Sequence, residues 1–69
     1  MENEHDMLVE QYLFRHFDDV HIILGKHQVD VLCYLDNVEY RFPFYTIQYY
    51  NANPYDIVNS IWGYIITNM

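Results

Sequence analysis

Four histidines, one cysteine and ten carboxylates are the groups in this 69-residue chain that could do chemistry. A zinc site needs ligands gathered by spacing, such as i, i+4 on a helix or Cys-x2-Cys in a turn. His5 and His16 stand eleven residues apart, His27 falls in a turn, and His21 is placed on the sheet face opposite Cys33. No metal set is expected. Cys33 lies mid-strand among apolar residues, where burial raises a thiol pKa and blocks access, so it reads as core. No Ser-His-Asp set or close pair of carboxylates stands out, and Gly25 and Gly63 alone cannot build a phosphate-cradling loop. A chain this short also leaves little room for a ligand pocket of about 300–1,000 Å³. The expectation is recognition without catalysis, metal or cofactor.

The carboxylates are unevenly spread. Residues 1–19 carry a net charge of -5 and residues 20–69 carry -2, for a total of -7. Such a surface repels phosphate and disfavours direct contact with nucleic acid. It suits a basic partner. Glu2, Asp6 and Glu10 recur at i, i+4 and i+8, which places them about 6 Å apart along one side of a helix. Asp18 and Asp19 extend the charge beyond the helix, and Glu4, Glu10 and Gln11 flank Met7 and Phe14. Met7 and Phe14 project from the same helix away from its apolar stripe, an apolar anchor inside an acidic rim. A carboxylate row near phosphate spacing can occupy a nucleic-acid groove on a protein. In size and charge the chain is similar to small acidic phage proteins that block restriction enzymes, CRISPR effectors or repair enzymes. That similarity is one of strategy, not of motif.

A second region is the uncharged segment 42–55, which holds six aromatic residues. Aromatic residues are enriched and charges depleted at the centres of interfaces. Phe42 and Phe44 are assigned to the core. Tyr45, Tyr49, Tyr50 and Tyr55, with Trp62 nearby, are left for an adhesive surface or a dimer contact. The outer sheet face adds His21, Ile23, Leu32 and Tyr34.

The elements that must position these groups follow from periodicity and turn chemistry. Asn3 reads as the N-cap of a helix over about 4–18, whose stripe is His5, Leu8, Val9, Tyr12, Leu13, His16 and Phe17. Three strands follow: 20–24, 29–35 and 38–45. Gly25 to Gln28 forms the first turn and Asp36-Asn37 a two-residue hairpin loop. This register pairs Leu35 with Val38, Cys33 with Tyr40, Val31 with Phe42 and Val29 with Phe44. It also pairs Leu24 with Val29, Ile22 with Val31 and Val20 with Cys33. All of these fall on one face, and a one-residue slip would undo it. Pro43 then lies on an edge strand. Residues 46–53 read as a loop. Asn53-Pro54 opens the last helix, with Val58, Ile61 and Ile65 inward and Ile57 beside them.

The fold class is α+β, in the order α-β-β-β-α: a three-stranded antiparallel meander with both helices packed on one face, as one small acidic domain over 1–69. This element order is similar to that of double-stranded-RNA-binding domains. Those domains dock RNA partly through a lysine-rich N-terminus of the second helix, where this chain has Asn53-Pro54-Tyr55-Asp56 and no cation.

The acidic N-terminus lacks the basic region of a signal peptide, and the apolar run 57–66 is shorter than the roughly 20 residues that span a bilayer. A cytoplasmic location follows as an expectation, in a host cell if phage-encoded, with no membrane partner. Abundant Ile, Asn, Tyr and Phe point to an AT-rich genome, in keeping with a phage or mobile element. The expected function is a non-catalytic inhibitor or adaptor that blocks a basic, nucleic-acid-handling site on a host protein, in an anti-CRISPR, anti-restriction or similar anti-defence role, with DNA mimicry as its sharpest form. The alternative is a small self-assembling protein that homodimerises through its sheet and tyrosine-rich segment.

Overall fold

In the computed structural model, which describes residues 4–67, the chain runs α1 (Glu4–Phe14), β1 (Asp19–Leu24), β2 (Gln28–Leu35), β3 (Val38–Tyr45), α2 (Thr46–Asn51) and α3 (Pro54–Thr67). Asn3, read as an N-cap, and Glu2, read as part of the acidic row, lie outside the described residues.

The meander is the expected one. Asp36 and Asn37 take φ of 53° and 65°, the left-handed geometry that a two-residue hairpin turn demands and that short polar side chains tolerate. The strands pair in the order β1-β2-β3, and all seven expected apolar pairs form, from Val20–Cys33 to Leu35–Val38. Val29, Val31 and Cys33 are buried on the inner face. Counting back from the hydrogen-bonded closing pair Leu35–Val38, the Asp30–Pro43 pair is one whose backbone nitrogens point away from each other. Pro43 therefore turns its missing N–H to the free edge, where no ladder bond is lost. Gly25 does not use a positive φ. It is required by close approach instead: a Cβ there would stand 2.5 Å from the carbonyl oxygen of Gln28, which accepts the Gly25 N–H at 2.9 Å.

α1 stops four residues sooner than its periodicity predicts. His16 and Phe17 both donate their N–H groups to the Leu13 carbonyl, and Asp18 N–H then bonds Tyr34 O at 2.8 Å. The chain must reverse there to enter β1, so the helix closes in a tight turn while Phe17 stays buried. Residues 46–51, expected as loop, are helical. Thr46 fixes the start, its N–H bonded to His27 O and its hydroxyl to Gly25 O. The segment lacks glycine and proline, and it coils to bring Tyr49 into the core. α3 begins as expected: Asn53 Oδ1 accepts the Asp56 N–H at 3.0 Å, with Pro54 at the first helical position, where its missing N–H costs nothing.

The core joins Val9, Leu13 and Phe17 to the inner sheet face, to Tyr49, and to Ile57, Val58 and Ile61 of α3. Both long helices thus lie on one side of the sheet. His5 meets Ala52, Tyr12 meets Tyr55 and His16 meets Trp62, so α1 and α3 ascend in the same direction.

Candidate protein-docking surface

The inward line of α1 is Asp6, Val9 and Leu13, spaced i, i+3, i+7. Asp6, expected in an outward acidic row, is only 2% exposed. Its Oδ1 accepts a hydrogen bond from the Tyr49 hydroxyl at 2.8 Å, and its Oδ2 one from Tyr50 at 3.4 Å. His5 Nε2 lies 2.8 Å from the Ala52 carbonyl, which can only accept, so this nitrogen carries a proton. His5 Nδ1, buried and without a hydrogen-bond partner, stands 3.8 Å from Asp6 Oδ1. A buried carboxylate is costly unless donors surround it, and the two tyrosines supply them. Burial, then the Asp6 hydrogen bond and charge, hold the Tyr49 phenol well above its ordinary pKa, so it stays a donor.

This clasp overturns two readings. The Glu2–Asp6–Glu10 row does not exist as a surface: Asp6 faces inward and Glu10 is half-buried. Tyr49, read as adhesive surface, is fully buried, because only there can its ring complete the core while its hydroxyl meets Asp6. Tyr50 leans over the same carboxylate and stays partly exposed. With Asp6 and Tyr49 this deeply enclosed, the clasp is a joint within the fold. It ties α1 to α2. Cys33 is also enclosed, and desolvation pushes its thiol up to about 12.

The outer face of α1 keeps the rest of its expected character. Met7 and Phe14 are each 47% exposed and two turns apart, in line with exposed Glu4 and Gln11. Asp18 and Asp19 lie exposed beyond the end of the helix. Both also hold structure. Asp18 Oδ2 accepts the Asp36 N–H at 3.1 Å, pinning the hairpin turn. Asp19 Oδ1 accepts the Val20 N–H, and its Oδ2 lies 2.9 Å from His21 Nε2.

The remaining aromatic residues do not form one surface. Tyr45 ends β3, exposed at one end of the sheet. Tyr55 stacks on Tyr12 at 4.5 Å across the α1–α3 seam, with the Arg15 guanidinium over the Tyr12 ring. Trp62 stacks on Phe17 at 5.2 Å and takes the edge of His16. On the outer sheet face Leu32 is buried, in register between His21 and Arg41. Polar contacts surround it: Gln28 donates to Asp30, Arg41 approaches Asp30 at 3.7 Å, and the His21 and Tyr34 rings meet edge-on. Sequence reasoning missed Ile47, which is 76% exposed. The Gln28–Tyr45 pairing, which brings the first turn beside the start of α2, was the available signal.

Among the described residues no three His, Cys, Asp or Glu side chains gather into a metal-binding group, and no helix is long and apolar enough to cross a membrane. Comparison with protein-family models, with curated proteins and with solved structures finds no match.

Proposed function

We propose that this chain is a non-catalytic inhibitor or adaptor whose outer α1 face docks into a basic, nucleic-acid-handling site on a partner protein. The observation that carries this reading is the pair Met7 and Phe14, half exposed on one helix face beside Glu4 and short of Asp18 and Asp19. Two large apolar groups there stand in water unless a partner covers them. The surrounding carboxylates, on a chain of net charge -7, steer a basic surface toward them. The role fits an anti-defence protein of a phage or mobile element acting in the host cytoplasm. The mimicry is coarser than a phosphate ladder, since Asp6 takes no part. Charge supplies encounter and the two apolar side chains supply affinity.

The test is capture from nuclease-treated bacterial lysate, followed by competition. A nucleic-acid-binding protein should be retained by the wild type, displaced by its own nucleic acid, and weakened at about 0.5 M salt, where screening is strong. A captured protein that nucleic acid cannot displace would contradict the site assignment. Retention unaffected by Glu4→Lys and by salt would contradict the electrostatic part.

A further inference from the structure

Exposed apolar side chains outside α1 occur on every later element except β2, and some of them stand at the far end of the sheet. Leu24 closes β1, Tyr45 closes β3 at 70% exposure, and Ile47 follows on α2. Leu24 pairs with Val29 and so belongs to the inner face, whereas Tyr45 pairs with Gln28 on the outer one; the Thr46–His27 backbone bond holds Tyr45 and Ile47 beside the first turn. That turn offers exposed Lys26 and His27, and with Tyr45, Thr46 and Ile47 they line an open groove of about 410 Å³. No acid occurs in residues 20–29 or 40–55. Of the three Lys and Arg residues, Arg41 lies against Asp30 and Arg15 over Tyr12, whereas Lys26 has neither an ion pair nor a ring contact among the described residues. One chain therefore carries an apolar patch with a cationic rim and, on α1, an apolar patch with an anionic rim.

We propose that these two patches are complementary, and that the protein self-associates head to tail. The Met7–Phe14 face of one copy seats on the Tyr45–Ile47 groove of a second, with Lys26 and His27 against the carboxylate rim. The other routes to self-association are less well fitted. The Val20 N–H, which points to the free edge of β1, is occupied by Asp19. β3 presents Pro43 to its own free edge, a standard guard against strand pairing. The outer sheet face leaves Ile23 exposed but buries Leu32, and Gln28 and Arg41 each interact with Asp30 across it. A head-to-tail contact uses different surfaces on the two copies, so it builds rings or open chains and not a two-fold dimer. It also covers the α1 face, so self-association and partner docking compete.

Sedimentation velocity and equilibrium test this with the full chain at about 0.15 M salt, where a Debye length of about 8 Å screens the repulsion between whole molecules more than it screens a contact pair. Concentrations should reach about 1 mM, the range in which weak contacts are populated. The wild type should show a mass that rises with concentration. Phe14→Asp and Ile47→Asp should each be monomeric alone, yet their mixture should form a one-to-one heterodimer, because each supplies the patch that the other lacks. Lys26→Glu should weaken wild-type association several-fold. A wild type that stays monomeric, a single variant that still associates like the wild type, or a mixture that stays monomeric would each overturn the proposal. Amide spectra check that the variants are folded, and Met7→Asp with Tyr45→Asp replaces any variant that is not. Ile47→Asp leaves the α1 face intact, so loss of self-association and loss of partner docking are read separately.

Discussion

Replacing Asp6 by alanine should be among the most damaging single changes on α1. The variant loses a charge-assisted hydrogen bond at 2.8 Å and leaves the Tyr49 hydroxyl donor without its partner in a fully buried position. A hydrogen bond to a charged group contributes about 1.5–3 kcal/mol, and an unsatisfied buried polar group costs about 1–3 kcal/mol. These overlap, and removing the carboxylate also relieves its desolvation, so the net loss should be about 2–4 kcal/mol. At about 0.05–0.15 kcal/mol per residue, a chain of 69 residues has only about 3–10 kcal/mol in all. Urea denaturation followed by circular dichroism should therefore show a much lower midpoint, or a variant partly unfolded without denaturant. Asp6→Leu combined with Tyr49→Phe should recover a large part of the loss, since no orphaned donor remains at Tyr49. Tyr50, partly exposed, can turn to water. A loss below about 0.5 kcal/mol, the ordinary range for a surface position, would refute the clasp and return Asp6 to the outer face.

Four further outcomes follow from local geometry. Gly63→Ala should stabilise α3 by about 1 kcal/mol, because Ala is the better helix former and a Cβ there meets nothing within 4 Å. Gly25→Ala should destabilise, since its Cβ would press on the Gln28 carbonyl; the two thermal midpoints should move in opposite directions. Asn53→Ala removes the side-chain acceptor of the Asp56 N–H and should cost about 1 kcal/mol by chemical denaturation. Cys33, with its thiol pushed up to about 12, should stay unreactive to iodoacetamide at pH 8 in the folded chain and become modified only with unfolding, as alkylation followed by mass spectrometry would report.

The meander was legible because independent signals agreed. The Asp36-Asn37 turn, the period-two alternation and the position of Pro43 each demand the same register. The rotation of α1 was not legible, for a definable reason. Apolar periodicity assigns a carboxylate to the wet side, and the tyrosine that reverses this for Asp6 lies 43 residues away. α2 was missed because a six-residue helix with one buried position, Tyr49, leaves no repeating pattern. Tyr45, Tyr55 and Trp62 were grouped by proximity in sequence and composition, but Tyr45 ends β3 while Tyr55 and Trp62 lie on α3, in its seam with α1. Met7 and Phe14 were placed correctly because their exposure depends only on helix geometry and on the apolar face formed by Val9 and Leu13.

The central claim is that the outer face of α1 docks a partner, and paired capture tests it most directly. Wild-type protein and a Met7→Ala, Phe14→Ala double variant, each checked for an unchanged amide spectrum, would be presented to the same nuclease-treated lysate. The account predicts one nucleic-acid-handling protein held by the wild type and lost from the double variant. Equal capture by both, or no such protein on either, would contradict it.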